Sequence, residues 1–452
     1  MMSRHIADEV AAFCIEATVE RFPADVVDKA KMCLVDFLSA ALTFDASSEA
    51  RIGLEALGQP ASRGGGALVF GTPVRVSAPT AAYLTSVAAA ATGRTDTHVE
   101  SSSHPGMVVA PALLALAEHV DVPGGRLLSA LVVGYEVMCR LGSALITPQV
   151  ATIFRPTGVI GPVAAAAACA HLLALGREAT RSALSMAANA ACGLNQWARS
   201  GTPEHVLHSA VAARAGVESA VLARHGLTAA GGGLDGDAGL LAAFDAGHRA
   251  HHLTDRLGTW FAIRDIVHKP APACIYVQGP CQLAHDIVQR HGPDPRRIDS
   301  VLIGLPEQAV RYPGCDNAGP ITDVLAGALS VQFSVASVLV AGGIFDRNWK
   351  DPCDPATNRL AGRSRLVEDP DLTAAFPARN GSSVRVLLDD GRTLVAEQDT
   401  FASMTADEVI GRFHLAADPI YGRAGSQAIV GRIDELDRSP SLSGLLRVLQ
   451  AG

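Results

Sequence analysis

Several side chains in this sequence could move protons or hold a carboxylate, and Lys269 is the most prominent of them. Lysine occurs at only four positions, and Lys269 lies in the segment Val267-His268-Lys269-Pro270. Burial disfavours the charged form of an amine and lowers its pKa toward neutrality, so Lys269 could act as a base or as a carboxylate anchor. Tyr312 is a candidate acid or hydrogen-bond donor, and a tyrosine that only packs in the core is the alternative.

Arg155, His205 and His208 are further candidates for binding or acting on a carboxylate. Arg155 immediately precedes Pro156-Thr157-Gly158 and an alanine-rich run, where its planar fork of donors would add to the positive end of a helix dipole. His205 and His208 lie near the start of another alanine-rich run, on one face if that helix already includes them. The alternatives are a surface arginine, and histidines that cap the helix or pack in the core.

A polar segment, residues 95–106, separates two apolar helical runs. Its titratable and hydroxyl side chains include Asp96, Thr97, His98, Glu100 and His104. Such a segment lines a cleft or forms a solvated connection, and composition alone does not decide between the two. Because its histidines and Glu100 match no established ligand spacing, we predict no metal site.

Helices must position most of these residues, because the pattern is helical up to about residue 260. Apolar, alanine-rich stretches occur at residues 79–91, 108–119, 126–146, 161–175, 179–194 and 209–224. Small side chains let helix axes approach each other, so this composition predicts a closely packed bundle.

The pattern changes at residues 268–272, a proline-rich stretch that cannot continue a helix. The elements predicted beyond it are a strand at 297–305, a buried helix at 326–341, and a hairpin of 384–388 and 393–396 around Asp389-Asp390-Gly391-Arg392. Helical patterns return after Thr400. We therefore predict a mainly α protein: a large all-helical domain built from both chain ends (1–266 and 401–452) with a smaller inserted α+β domain (267–400).

The composition is that of a globular protein and excludes several classes of function. Of the 452 residues, 48% are hydrophobic and 18% are charged, which excludes a disordered chain. The net charge is −8 and no run of lysine and arginine occurs, so we expect no binding to nucleic acid or to a membrane surface.

Three features predict a cytoplasmic protein. The nine cysteines are scattered without a CxxC pair, which is typical of reduced thiols. Residues 1–5 lead into a charged amphipathic stretch without the apolar region of a secretory signal. The apolar runs 161–175 and 329–345 fall short of the ~20 residues of a membrane span and contain His171 and Gln332, so we interpret both as buried helices.

Short motifs in a characteristic order extend over nearly the whole chain, although no single motif is specific. They are Asp96-Thr97 with His104-Pro105, Gly134-Tyr135-Glu136 with Arg140-Leu141-Gly142, Pro156-Thr157-Gly158 with Gly161, His208 with Ala212-Ala213-Arg214-Ala215-Gly216, Lys269-Pro270 with Pro272-Ala273-Cys274, and Leu329-Ser330-Val331-Gln332-Phe333-Ser334. This order and spacing resemble the MmgE/PrpD family, which includes 2-methylcitrate dehydratases, cis-aconitate decarboxylases and iminodisuccinate epimerase.

The resemblance implies a cleft between the two domains, a homodimer, and no metal or organic cofactor. The site residues that it implies are Asp96, Thr97, His104, Lys269 and Tyr312. This chain departs from the pattern of the dehydratases and decarboxylases, which typically carry further aspartates where it has Gly93 and Thr95. They often carry histidine at the position of Arg155 and lysine at that of His205.

The reactions of this family all act on a carbon next to a carboxylate, where positive groups offset the developing charge. We expect catalytic roles for Lys269, His205, His104 and Tyr312, and binding of a small di- or polycarboxylate by Asp96, Thr97, Arg155 and His208. Dehydration needs an acid, and the missing aspartates weaken that role, so we predict a cofactor-independent epimerase of a polycarboxylate such as iminodisuccinate. The alternatives are a hydro-lyase of the 2-methylcitrate type, a tricarboxylate decarboxylase, or a non-catalytic binding protein.

Overall fold

The computed structural model describes residues 5–44, 47–61 and 65–450. Residues 1–4, on which the prediction about a secretory signal partly depends, lie outside the described residues. Within the described ranges the chain is mainly helical, as predicted, with a four-stranded sheet and two short strand pairs.

The chain begins with a series of helices. They are α1 (Ile6–Glu16), α2 (Ala24–Ala41), α3 (Ser48–Leu57), α4 (Ala78–Ala91), α5 (Gly106–Ala117), α6 (Gly124–Leu145), α7 (Pro148–Ile153), α8 (Pro156–Leu172), α9 (Arg177–Ala188), α10 (Gln196–Ser200), α11 (His205–Arg224) and α12 (Leu240–Ala243). The short strands in this region are β1 (Ala67–Leu68), β2 (Arg75–Val76), β3 (Thr97–His98) and β4 (Ile266–Val267).

Small residues set the spacing of α8 and α11, which pack against each other in the helical core. A Cβ atom at Gly216 would lie 2.2 Å from the Cβ of Ala165, and one at Gly161 would lie 2.9 Å from that of Ala212. These distances leave no room for a larger side chain. The alanine-rich composition therefore produces the close helix packing that it predicts.

The second region combines a sheet with helices. Its strands are β5 (Ile298–Leu305), β6 (Ser364–Glu368), β7 (Ser382–Leu388) and β8 (Thr393–Gln398), in the order β6-β5-β7-β8, with β5 and β6 parallel and the other pairs antiparallel. Its helices are α13 (Ile275–His291), α14 (Glu307–Arg311), α15 (Val324–Leu329), α16 (Val331–Ala341), α17 (Pro355–Ala361) and α18 (Pro370–Ala375). The hairpin predicted around residues 389–392 is present as β7 and β8.

The helix predicted over residues 326–341 is wrong in one respect, because the structure divides it into α15 and α16. Ser330 lies between them with an extended backbone, and its Oγ accepts a hydrogen bond from the backbone N–H of Phe333 at 2.9 Å. A serine that caps a new helix satisfies a backbone donor that would otherwise be free. The run 329–345 therefore contains a break, although most of α16 is buried as predicted.

The chain ends in α19 (Ala406–Asp434) and α20 (Ser443–Leu449). Thr405 is the N-cap residue of α19 and forms a capping box with Glu408, and the helix is broken at Gly422, where φ is +68°. Buried residues of both helices belong to the same core as the N-terminal helices, whereas residues 271–401 form a second core. We propose 266/267 and 400/401 as the domain boundaries, because the two cores separate close to these positions.

Strands β3 and β4 connect the polar segment to the segment of Lys269. Thr97 pairs with Val267 and His98 with Ile266 in an antiparallel register. The loop that carries His104 is thereby fixed next to the chain that leads into Lys269.

Two helices, α6 and α11, are long and apolar enough to cross a membrane by length and composition. The most apolar stretch of 18 residues is 94% buried inside the protein in α6 and 56% buried in α11. The run 161–175, interpreted as a buried helix, lies largely in α8, which is buried along its whole length.

Candidate active site

A cavity of about 90 Å³ lies where the two cores meet. This is room for several water molecules and therefore suits a small ligand. Its polar and aromatic lining residues are Thr95, Ser102, His104, Arg155, Trp197 and His205 from the helical region, and Lys269, Cys274, Tyr276 and Tyr312 from the second region. None of the described residues that line it is an aspartate or a glutamate.

Lys269 is buried in this cavity, with 3% of its surface exposed. Its Nζ donates a hydrogen bond to the carbonyl oxygen of Ala273 at 3.2 Å. Burial lowers the pKa of Lys269 to about 8, with Cys274 opposing the shift and Arg155 adding to it. The amine is therefore mainly protonated at neutral pH and can release its proton without a large energetic cost.

Arg155 precedes α8 and is also buried. Its Nη1 donates to the carbonyl oxygen of His205, and its guanidinium carbon lies 5.8 Å from the centre of the Trp197 ring. Burial lowers the pKa of Arg155 to about 10, so it remains charged at neutral pH, and no carboxylate of the described chain is close enough to oppose that shift. A buried cation without a protein counter-ion is a site for an anionic ligand.

Trp197 supports both Arg155 and His205. The imidazole of His205 stacks on its indole with 4.5 Å between ring centres, and the indole Nε1–H donates to Asn195 Oδ1 at 2.9 Å. The amide of Asn195 in turn donates to the carbonyl oxygen of Phe154 at 3.0 Å. Burial, together with Arg155, holds the pKa of His205 well below its ordinary value, so the ring is neutral.

His104 has its Nδ1 3.0 Å from the backbone carbonyl oxygen of Asp96 and 2.9 Å from Thr97 Oγ1. A carbonyl oxygen can only accept, so this network assigns the proton to Nδ1 and leaves the lone pair of Nε2 without a proton. Burial lowers the pKa of His104 well below its ordinary value, and Lys269 and Arg155 add to the shift. His104 is therefore a neutral imidazole that can accept a proton through Nε2.

Asp96 and Thr97 do not line the cavity, and the binding roles predicted for them stay predictions. Asp96 Oδ1 accepts from the backbone N–H of Gly106 at 2.8 Å, and Oδ2 accepts from the hydroxyl of Tyr135 at 2.6 Å. Gly106 begins α5, where backbone N–H groups have no partner within the helix, and this draws the carboxylate away from the cavity. Asp96 and Thr97 position His104 instead.

His208 also lies outside the cavity, although it shares α11 with His205. Its ring packs against Gly193, where a Cβ atom would lie 3.1 Å from the imidazole. Burial, followed by Arg155, lowers the pKa of His208 to about 4. The structure gives His208 a packing contact, and its role in substrate binding stays a prediction.

Tyr312 lines the cavity next to Tyr276, with 5.6 Å between their ring centres. The Tyr276 hydroxyl lies 3.4 Å from Ser102 Oγ. Burial raises the pKa of both tyrosines, so both are neutral donors. Four further lining residues were not predicted from the sequence: Tyr276, Ser102, Trp197 and Cys274. Tyr276 is one of only five tyrosines, and this scarcity is the one signal in the sequence that could have identified it alongside Tyr312.

A buried polar network holds the backbone of Lys269. Arg412 Nη1 donates to the carbonyl oxygen of Lys269 at 2.7 Å, and the same guanidinium pairs with Asp36. Asp36 Oδ2 lies 3.2 Å from Nδ1 of His268. Burial alone would raise the pKa of Asp36, but Arg412 and His268 outweigh it and lower that pKa. Both ends of the chain therefore fix the segment of Lys269.

The cavity combines a permanent cation, an amine that titrates near neutrality, two neutral imidazoles and two phenol donors. Positive groups in a site shielded from water stabilise an anion strongly. The arrangement can bind a small polycarboxylate, stabilise negative charge that develops on it, and deliver or accept a proton.

Comparison with known proteins finds similar sequences over most of this chain. The family model of the MmgE/PrpD N-terminal domain matches residues 8–253, and that of the MmgE/PrpD C-terminal domain matches residues 271–436. The chain is 27% identical to a cis-aconitate decarboxylase-like protein of Aspergillus oryzae, over 98% of this chain and 97% of that protein. It is 23% identical to a cis-aconitate decarboxylase of Aspergillus terreus over 98% and 96% of the two chains. It is 29% identical to the human cis-aconitate decarboxylase over 74% and 70%.

Proposed function

Because this chain belongs to the MmgE/PrpD family and is an enzyme of the isomerase or lyase type, we propose that it removes CO₂ from a small unsaturated tricarboxylate such as cis-aconitate. Relatives with that activity in their names align with most of this chain. The observation that carries the proposal is the pairing of Arg155 with Lys269 in a cavity without a lining carboxylate. This assignment replaces the epimerase that the sequence analysis favours.

Arg155 stabilises the charge that decarboxylation creates. When a carboxylate leaves from a carbon next to a double bond, its bonding electrons spread through that double bond toward a second carboxylate. A buried guanidinium beside that second carboxylate lowers the energy of the anion more than it lowers the energy of the bound substrate. Arg155 fits this role because it is fixed by His205 and Trp197 and has no carboxylate partner of its own among the described residues.

Lys269 returns the proton that replaces CO₂. The C–C bond breaks, CO₂ departs, and a carbon of the resulting anion forms a C–H bond with the proton of the Lys269 ammonium. An amine with a pKa of about 8 is protonated before this step and is a stronger acid than an ordinary lysine. Lys269 then regains a proton from water after the product leaves.

Epimerisation is a second candidate reaction, because His104 can act as its base. Its Nε2 can accept a proton from carbon, and Lys269 can donate one, so the cavity holds both partners that inversion of a carbon centre requires. Decarboxylation needs no group that removes a proton from carbon. A dehydratase would need a donor to the departing hydroxyl, which Lys269 or a tyrosine would have to supply.

One experiment in D₂O separates these reactions. The purified enzyme is incubated with cis-aconitate, 2-methylcitrate and iminodisuccinate in turn, while NMR follows products and deuterium and a coupled assay follows CO₂. We expect CO₂ from cis-aconitate and one deuterium in the new C–H bond of the product, and no product with Lys269→Ala. Deuterium in unreacted or inverted substrate without CO₂ would show an epimerase, and a new double bond formed from 2-methylcitrate without CO₂ would show a dehydratase.

A further inference from the structure

We propose that Cys274 and Cys315 form an oxidation site in the wall of the active-site cavity, where hydrogen peroxide converts the two thiols into a disulfide. This inference concerns the reactivity of the two cysteines and does not depend on which substrate the enzyme uses.

The geometry places one sulfur on the cavity and the other directly behind it. Cys274 lines the cavity, whereas Cys315 is fully buried, and their Sγ atoms lie 4.0 Å apart. All nine cysteines are free thiols. A small oxidant that enters the cavity therefore meets Cys274 first and can reach Cys315 only through it.

Cys274 has the surroundings of a reactive thiolate. It is the N-cap residue of α13, a helix of 17 residues, and its side chain accepts no capping hydrogen bond from that helix. The contact with the thiol of Cys315 is the main cause that lowers the pKa of Cys274, and the nearby backbone N–H groups and Lys269 also lower it against the effect of burial. The pKa of Cys315 is raised by the same contact. Cys274 is thus the sulfur that attacks, and Cys315 is the resolving thiol.

The oxidation proceeds in two balanced steps. The Cys274 thiolate attacks peroxide, the O–O bond breaks, an S–O bond forms, and the released hydroxide takes up a proton to give water. Cys315 then attacks the sulfur of this sulfenic acid, an S–S bond forms, and the hydroxyl leaves with the thiol proton as a second water. Two thiols are oxidised and one peroxide is reduced.

We expect the disulfide to disturb the active site, because Cys274 lines the cavity and the backbone of Cys315 is hydrogen-bonded to Tyr312, which also lines it. The sulfur atoms must move from 4.0 Å to about 2.0 Å apart. The carbonyl oxygen of Ala273, next to Cys274, holds Lys269 Nζ, and the backbone N–H of Cys315 donates to the carbonyl oxygen of Tyr312 at 3.1 Å. The disulfide also removes the negative charge that Cys274 can carry, a charge that raises the pKa of Lys269. We expect it to be less active.

Mass spectrometry provides the first test. The full chain carries Cys192→Ser and Cys353→Ser, which remove the two exposed thiols, and is treated with a small excess of peroxide. We expect the intact mass to fall by two hydrogen atoms and trypsin to release residues 265–290 joined to residues 312–347. Because residues 265–290 contain Cys281 as well, fragmentation must assign the bond to Cys274. Dithiothreitol should restore the reduced mass.

Cys315→Ser provides the matched test of the resolving step. We expect this variant to accumulate sulfenic acid at Cys274, trapped there by dimedone, and to give no linked peptides, whereas Cys281→Ser should behave as the parent does. Two results in the parent protein would overturn the proposal. One is that Cys274 stays reduced at peroxide levels that oxidise Cys192 in the unmodified chain, and the other is that Cys274 of the parent gives a dimedone adduct without any link to Cys315. Loss of activity that dithiothreitol reverses in the parent but that does not accompany disulfide formation would contradict the expected effect on catalysis.

Discussion

Nδ1 of His104 lies 3.0 Å from the backbone carbonyl oxygen of Asp96, so the backbone of Asp96, and not its carboxylate, determines which nitrogen of the imidazole carries the proton. The carboxylate of Asp96 instead binds Gly106 and Tyr135. The Asp-Thr motif therefore contributes to the site through the orientation of His104, and a change in the Asp96 side chain should affect folding more than substrate binding.

We expect Asp96→Ala to lower the thermal midpoint and to leave the KM of the folded enzyme close to that of the wild type. The change leaves two buried donors, Gly106 N–H and Tyr135 OH, without an acceptor, and each such loss costs about 1–3 kcal/mol. Thermal unfolding and steady-state kinetics measure the two effects. Tyr135→Phe is the control, because it disturbs the same pair without touching the segment of His104. A large rise in KM at unchanged stability would mean that the carboxylate binds substrate.

The lowered pKa of Lys269 predicts that kcat decreases at alkaline pH. The ammonium form is present below its pKa of about 8 and is lost as the pH rises through that value, and only this form can protonate the product. We expect Lys269→Ala to lose about 10²–10⁴-fold in kcat, the usual contribution of a positioned proton donor. In Lys269→Arg the cation persists at high pH, so its low residual activity should not decrease near pH 8. An alkaline limb that stays in place in Lys269→Arg would assign the titration to another group.

Arg155→Gln should weaken catalysis and yet stabilise the enzyme without ligand. Hydrogen bonds to a charged group contribute about 1.5–3 kcal/mol, so we expect a loss of about tenfold to a hundredfold in kcat/KM. Without ligand the guanidinium is buried without a carboxylate partner, and its removal relieves that cost. Thermal unfolding with and without a tricarboxylate measures both effects. Arg296→Gln is the control, since the side chain of Arg296 is 88% exposed, and it should change neither quantity.

The sequence could predict the helical fold and much of the site because those features depend on local pattern. Alanine-rich periodicity indicates packed helices, and the prolines after Lys269 indicate a junction at which a cavity can form. Arg155, His205, His104, Lys269 and Tyr312 line the cavity in the structure.

The remaining assignments depend on contacts that the sequence does not show. The direction of the Asp96 carboxylate is determined by Tyr135 on α6, and the position of the His208 ring by Gly193 in a loop. Helical spacing could place His205 and His208 on one face but could not show that only His205 reaches the cavity. The sequence does not indicate a role for Trp197, because its ring stacks on that of His205 only once α10 and α11 are packed together.

Trp197 should control substrate affinity through the two side chains that it supports. Trp197→Leu removes the aromatic surface beneath His205 and Arg155. We expect KM to rise about twofold to thirtyfold, because a cation over an aromatic ring contributes about 0.5–2 kcal/mol. Trp197→Phe keeps a ring face and loses only the bond to Asn195, so its KM should lie close to that of the wild type. Equal KM values for the two variants would show that the stack does not orient the binding groups.

Asp36 and Arg412 should behave as one unit in stability, because each is buried and neutralises the other. Removing one partner of a buried pair costs about 3–5 kcal/mol, whereas removing both leaves no unpaired charge. We therefore expect Asp36→Asn/Arg412→Met to be less destabilised than the sum of the single changes in urea unfolding.

The lowered pKa of Asp36 gives the pH dependence of the stability: the contribution of Asp36 is complete above pH 3.8 and is lost as the pH falls through the folded-state pKa. Additive losses in the double variant would show that the two residues act independently. Since Arg412 also holds the carbonyl oxygen of Lys269, kcat should fall in both variants that lack it, even where the double change recovers stability.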